Sequence, residues 1–344
     1  MSCPHAPRCA PVSPEVVTEE EGVAPVEAPL LSNVHMTFPV LGPTASGPPC
    51  RPGGRSRRNV VNSDARVSHR TSWFRPAADL YGRAVGESVA PTVETDLDVA
   101  HTLADRAAVV AMSFFGSEDL VAETKDDSSP VTDADRAVEQ LLRGCLTELR
   151  PDDAVLGEEF GSAGSSSRRW VLDPIDGTNF FIAGSPEWRI QMALEEDGEL
   201  VVALVDMPAF GIRWWATRGG GTFERAADGS VRRLAVSTTS LLSDTVLTCH
   251  PEAVAEHLPV EAELRSWRRL SLPDVIRGEI EAFYVDCCHV WDHAPWVLLV
   301  QEAGGRFTDH EGGRSPSKRG GLYSNAGVHD ALLEAINTRR RSGR

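Results

Sequence analysis

Trp170-Val171-Leu172-Asp173-Pro174-Ile175-Asp176-Gly177-Thr178 is the stretch on which the reading of the fold turns. Its first three residues form an apolar run of the kind that becomes a buried strand, and the run ends in two aspartates three positions apart. Hard cations such as magnesium take oxygen ligands, and one tight strand end can present two carboxylates together with the backbone carbonyl between them. The Gly177-Thr178 amides that follow can open a helix and cradle a phosphate. An ordinary Asp-Pro turn with a capping aspartate is the plainer alternative for this segment alone.

Working outward, short apolar runs separated by Gly, Pro and Asp read as strands: Ala154 to Leu156, Ile190 to Leu194, Leu200 to Val205 and Ile212 to Ala216. Upstream, Leu97, Val99, Leu103, Ala107, Val110, Ala111 and Phe114 fall near a 3.6-residue period that Gly116 closes, which predicts a first helix. Thr132 or Asp133 can cap a second, with Val138, Leu141, Leu142, Cys145, Leu146 and Leu149 on its apolar side and Pro151 as its stop. Downstream, Asp292 is expected to cap a helix carrying Pro295, Trp296, Leu299, Val300 and Ala303, closed by Gly304-Gly305. A last helix is expected near Val328 to Ile336. No repeat of solenoid length is visible.

Two further acidic elements sit where a regular element meets a loop, the position of functional groups on a rigid scaffold. Gly157-Glu158-Glu159 follows a predicted strand, and Trp291-Asp292 opens a predicted helix. Each has an ordinary reading by itself, as solvated loop charge or as plain N-cap. Their joint appearance with the Asp173 segment is harder to dismiss.

A chain of 344 residues with 41% hydrophobic content can bury a substantial core, in two domains or one large α/β unit. Its formal charge of −16 argues against a nucleic-acid or anionic-membrane partner, which an excess of Lys and Arg would have to neutralise. The seven cysteines lack paired C-x-x-C spacing, and the chain shows neither a leader pattern nor about 18 consecutive apolar residues. A reducing, cytoplasmic location is expected. Of the 23 prolines, 13 lie at or before Pro91, in stretches with no sustained period, so residues 1–91 are expected to be a disordered extension. That extension reads as a dispensable tail, or as the product of a start assigned too early with Met36 or a later site as the true start, ahead of a regulatory tail.

With these three segments in order, the chain resembles the inositol monophosphatase superfamily of magnesium-dependent phosphatases. The resemblance rests on Gly157 to Glu159, Asp173 to Thr178, and Trp291-Asp292 leading to Glu302-Ala303-Gly304-Gly305, and it covers roughly Val93 to Ile336. It implies metal ligands at Glu158, Asp173, the carbonyl of Ile175, Asp176 and Asp292, holding two or three Mg²⁺ ions. It implies that Thr178, backed by Asp135, orients a water with Glu158, and that Asp176, Gly177, Thr178 and Asp292 face the phosphate. Lys125 matches the superfamily's loop lysine. That position also stands out by itself, since Lys125 and Lys318 are the only lysines, leaving 32 arginines (34 minus 2). A solvated loop charge is the alternative.

Within the superfamily the texture is closest to the histidinol-phosphatase type, through segments such as Asp153 to Gly161 and Pro208 to Ala216. Departures occur at Phe180-Phe181, where Asn-Phe is common, at Trp296, where a small residue is usual, and along Arg265 to Asp286. They put the substrate in doubt more than the chemistry. His289 and His293 flank Asp292 and invite a second metal site, but packing or hydrogen bonding is the favoured role. Cys287-Cys288 reads as small buried filler rather than a reactive pair.

The expected fold is a layered α/β/α/β sandwich of the sugar-phosphatase type. It has an extension over 1–91, a phosphatase domain over 92–338 divided into an α+β half (92–200) and an α/β half (201–338), and a basic tail over 339–344. The expected activity is metal-assisted hydrolysis of a small phosphorylated metabolite, foremost histidinol phosphate. Inositol monophosphate or another sugar or nucleotide phosphate is the alternative within the class, and a catalytically silent metabolite sensor the alternative outside it. A homodimer is implied by the resemblance.

Overall fold

The computed structural model describes residues 95–342 apart from Cys287; the expected extension over 1–91 and the N-terminal cysteines lie outside the described residues. Helix α1 (Asp96–Phe114) opens on a capping box made by Thr95 and Asp98, and α2 (Asp133–Leu149) on the same device made by Thr132 and Asp135. Thr132, rather than Asp133, is therefore the cap. A short ribbon of β1 (Ala122–Thr124) and β2 (Pro130–Thr132) joins the two helices.

Eight strands form the larger sheet. In chain order they are β3 (Ala154–Gly157), β4 (Gly161–Ala163), β5 (Arg168–Asp176), β6 (Arg189–Glu196), β7 (Glu199–Met207), β8 (Ile212–Thr217), β9 (Gly221–Arg225) and β10 (Val231–Leu234). Their spatial order is β10-β9-β8-β7-β6-β5-β3-β4, antiparallel except for the parallel β3–β5 pair. Strand alternation divides the core between the two faces of this sheet. Trp170, Leu172, Ile190, Met192, Leu194, Val202 and Leu204 point towards α1 and α2, while Val171, Ala193, Ala203 and Val205 point the other way, towards α5 (Val290–Glu302). The short helix α3 (Thr178–Ile182) directly follows β5.

The second sheet has the order β12-β11-β13-β15-β14, from β11 (Val246–His250), β12 (Glu263–Leu264), β13 (Ala282–Val285), β14 (Gly305–Thr308) and β15 (Gly321–Asn325). Helices α4 (Ser271–Ile276) and α5 share one core with its Phe283, Val285, Phe307 and Tyr323, and α6 (His329–Ser342) packs through Leu332 and Ile336 with Leu247, Tyr284 and Leu322 on its other side. The layers thus run helix, sheet, helix, sheet, as expected, with α6 closing the outer face.

Three boundaries differ from expectation. The change of sheet comes between Leu234 and Val246, not at residue 200, because the β6–β7 hairpin continues the first sheet without interruption. Helix α5 starts at Val290 with His289 as N-cap; Asp292 sits in the third helical position and accepts from the His289 amide at 2.6 Å. An aspartate satisfies an orphan amide from that position as well as from the cap itself. Finally, Arg339 to Arg341, expected in a basic tail, are the last turn of α6.

Candidate active site

The first carboxylates are delivered by the end of β5. This strand pairs with β3 as far as Leu172 and with β6 as far as Asp176, and a register shift between Asp173 and Asp176 re-aims the two aspartates. One carboxylate oxygen from each of Asp173, Asp176 and Asp292 lies within 4.8 Å of the other two, which joins the end of β5 to the first turn of α5. Asp173 is 1% exposed, and both of its carboxylate oxygens are buried without a hydrogen-bond donor. Burial, reinforced by the charges of Glu158, Asp176 and Asp292, pushes its carboxyl well above the ordinary range. Burial and the Asp176 charge likewise push Asp292 up to about 7. A buried carboxylate without donors is costly unless a cation balances it, so the donor set fits a hard dication.

Glu158 reaches the same pocket from the turn after β3 and is bonded by Lys125, whose Nζ donates to Glu158 Oε1 at 2.8 Å and to Glu159 Oε1 at 2.7 Å. Burial opposes the charge on Lys125, but the two glutamates outweigh it and raise its pKa. Lys125 is therefore an anchored cation and not a solvated loop charge. The turn carrying Glu158 is held from beneath by Glu139 of α2, which accepts from the Glu159 amide at 2.7 Å and the Phe160 amide at 3.2 Å, and from Arg143 Nε at 2.7 Å. A Cβ at residue 157 would overlap the Glu139 carboxylate, which is the physical reason for glycine there.

Asp135, at the start of α2, is 1% exposed and accepts from the Thr132 amide at 2.8 Å and from the Thr132 hydroxyl. Its other oxygen lies 3.2 Å from Thr178 Oγ1, which is equally far from the carbonyl oxygen of Ile175. The Thr178 proton thus has two acceptors, and the hydroxyl's lone pairs remain for a further donor. Gly177 precedes Thr178 with φ of 93°, a left-handed conformation that favours glycine.

Two arginines that sequence reasoning did not single out complete the pocket. Arg189, the first residue of β6, donates from Nε to Asp176 Oδ2, and Arg269, from the loop before α4, donates from Nη2 to the same oxygen at 2.5 Å and to the Asp176 carbonyl at 3.0 Å. Although burial opposes the charge, Arg269 and Arg189 hold the Asp176 carboxyl down to about 2. Phe180, Trp296, His250 and Trp267 also line the cavity. His293 is buried, bonded to the Tyr323 hydroxyl and, through Nε2, accepting from the Gly320 amide at 3.1 Å; His289 stacks on Trp291 with ring centroids 4.9 Å apart. Neither histidine joins the carboxylate cluster, in keeping with the packing role expected for them.

Comparison with known proteins agrees with this geometry. A profile of the Inositol monophosphatase family matches residues 92–342. The chain belongs to that family. It is therefore a phosphatase of a metal-dependent kind. Among curated relatives, it is 40% identical over 266 residues to a histidinol-phosphatase of Streptomyces coelicolor, covering 72% of this chain and 99% of the relative. It is 41% identical over 250 residues to a protein of Streptomyces griseus named glucose-1-phosphate thymidylyltransferase, covering 70% and 95%. Among solved structures, the IMPase of Thermotoga maritima superposes with a TM-score of 0.63 at 26% identity, covering 72% of this chain and 98% of that one. No helix among the described residues is long and apolar enough to cross a membrane.

Proposed function

We propose that this family member hydrolyses a small phosphate monoester by attack of water, with Mg²⁺ held by Glu158, Asp173, the Ile175 carbonyl, Asp176 and Asp292. The observation that carries the reading is Asp173: two donor-less, buried carboxylate oxygens facing two further aspartates. When bound, magnesium supplies Lewis-acid polarisation of the phosphoryl oxygens and lowers the pKa of a nearby water. The chain's own residues do the rest. Asp135 accepts the Thr178 proton and turns the hydroxyl's lone pairs outward, so that Thr178 accepts from the attacking water and orients it. Glu158, kept in place by Lys125, is the second acceptor for that water. The amides of Gly177 and Thr178, with Asp176 and Asp292 behind them, define the phosphate end of the pocket. No side chain needs to become phosphorylated.

The name of the Streptomyces coelicolor relative puts histidinol phosphate first among substrates, ahead of inositol monophosphates and other sugar or nucleotide phosphates. On this proposal the protein is a cytoplasmic homodimer acting on a small metabolite, with neither nucleic acid nor membrane as a partner. Phosphate release from a panel of monoesters, with and without Mg²⁺, tests it. Magnesium-dependent release with histidinol phosphate highest in kcat/KM supports it. No release from any ester, with metabolite binding retained, would instead identify a silent sensor. Release of pyrophosphate from dTTP and glucose 1-phosphate would point to the nucleotidyl transfer that the Streptomyces griseus name denotes.

A further inference from the structure

The cavity that holds the carboxylates is also lined by aromatic side chains, and most of these already have a partner. Arg269 Cζ stands 5.6 Å from the Phe180 ring centroid and Arg189 Cζ 5.1 Å from that of Trp296, so a guanidinium occupies one face of each ring. Phe283 and Tyr323 are buried and stacked on each other with centroids 6.3 Å apart. His250 and Trp267 differ. Both line the cavity while only half-buried, and among the described residues neither the ring nitrogens of His250 nor Nε1 of Trp267 make a hydrogen bond. Each turns one ring face to the other, at a tilt of 32°, and keeps a second face that no other ring covers among the described residues.

The fold holds this pair in place. His250 ends β11, paired with Val285 of β13, and its carbonyl accepts from the Asp286 amide at 3.1 Å; Trp267 packs against the core that α4 and α5 share. Arg269, two residues further on, donates to Asp176 and so ties this part of the lining to the carboxylates. Burial, helped by the Arg269 charge, lowers the pKa of His250, which leaves its imidazole uncharged at neutral pH. Flat faces with unpaired ring nitrogens at their edges suit a ligand ring that is itself flat. A polyol would set its hydroxyls against those faces and lose water contacts that they do not replace. The carboxylates lining the cavity are Glu158, Asp176 and Asp292, all proposed above to hold magnesium, so an ammonium on the leaving group finds no acid of its own there. The geometry points to His250 and Trp267 as the specificity-determining seat for the leaving group, one that takes a flat, uncharged aromatic or heteroaromatic ring. The inference rests on the proposed phosphatase reading and narrows it: histidinol phosphate leads the polyol phosphates through its imidazole, and its amine adds nothing.

Three esters test it on the full-length protein with Mg²⁺: histidinol phosphate, its deaminated analogue 3-(imidazol-4-yl)propyl phosphate, and inositol 1-phosphate. The two imidazole esters should agree in kcat/KM within about threefold, and both should exceed inositol 1-phosphate by at least about tenfold, the order that stacking on one aromatic ring supplies. Trp267→Leu should cut the ratio of imidazole ester to inositol ester at least about tenfold, through KM rather than kcat, and Trp267→Phe, which keeps a flat face, should retain most of it. A loss of more than about threefold on deamination overturns the inference, as does inositol 1-phosphate equalling the imidazole esters, or a ratio in Trp267→Leu within about threefold of the original. The unmodified protein decides the matter even if Trp267→Leu does not fold. Magnesium-dependent hydrolysis with inositol 1-phosphate ahead fails this inference alone; no hydrolysis of any ester fails the proposed function and this inference with it.

Discussion

Replacing Asp173 by Asn separates metal binding from folding, because the two effects have opposite signs. In the metal-free protein the Asp173 carboxyl is buried without a donor and faces Glu158, Asp176 and Asp292, so it either carries an uncompensated charge or must take up a proton. Asn keeps the shape, removes the charge and offers an amide donor to the neighbouring carboxylates. Relief of one unsatisfied buried group is worth about 1–3 kcal/mol. For a domain of this size that is a rise in Tm of roughly 2–10 °C in the presence of a chelator. Under magnesium the order should reverse, since an ion at 100 times its Kd stabilises the native protein by about 2.7 kcal/mol and the variant forgoes most of that gain. Thermal melts of both proteins in EDTA and in saturating Mg²⁺ measure the four values required. Activity should fall at least about a hundredfold, as for loss of a major electrostatic stabiliser. If Asn lowers the Tm in EDTA, or if Mg²⁺ raises both proteins equally, Asp173 is not a metal ligand.

Three other outcomes follow from single contacts. Thr178→Val keeps volume but removes the hydroxyl bonded to Asp135, so kcat should drop about a hundredfold while Mg²⁺ affinity by calorimetry stays within about threefold; a large loss of metal affinity would contradict a water-orienting role. Glu139→Gln leaves one acceptor oxygen for the three donors now bonded to Glu139, and its Tm should fall by roughly 2–10 °C for a loss of about 1–3 kcal/mol. An unchanged Tm would mean that the Glu158 turn holds its shape unaided. His329 is buried between the Ser324 and Thr308 hydroxyls, and burial, helped by Arg306, lowers its pKa from 6.5 to about 4. The native state therefore holds fewer protons than the unfolded one below pH 6.5, and stability should fall as pH drops from about 6.5 towards 4, by at most about 1.4 kcal/mol per unit from this group. Urea melts of His329→Gln should show a shallower slope across that window; an identical slope would exclude the histidine as its source.

The sequence disclosed the larger sheet better than the smaller one, for a physical reason. Strands β5 to β8 are long, buried on both faces and bounded by turn residues, so their apolar runs are unmistakable. Strands β11 and β13 to β15 are four or five residues each, with hydroxyls, histidine and glycine among them, and their pairing is set by partners far away in the chain. Asp292 misled for a related reason, since an aspartate three residues inside a helix looks like one that begins it until the backbone of His289 is seen. At the site, the carboxylates could be read because each lies at or next to an end of a regular element. Arg189 and Arg269 could not: they meet on Asp176 from 13 and 93 residues away, and arginine in a chain so rich in it carries no local signal.

That contrast leads us to expect chemistry and selectivity in different parts of the molecule. The groups proposed to act on metal and water, Glu158, Asp173 and Thr178 with Asp135 behind it, come from the N-terminus of α2, the turn after β3 and the end of β5 with the residues that follow it, all tied into the larger sheet and its helices. His250, Trp267 and Arg269, which also line the pocket, come from the end of β11 and the loop before α4, and the rings of His250 and Trp267 are tilted by 32° with centroids 4.4 Å apart. The pocket thus combines aromatic surface and a guanidinium with the carboxylates. Loop segments of this kind can change without disturbing the sheet that holds the catalytic groups. Family membership therefore carries the reaction to this chain and leaves the substrate to the pocket wall, and Arg265 to Asp286, which fits the histidinol-phosphatase pattern poorly, is where we expect selectivity to be set.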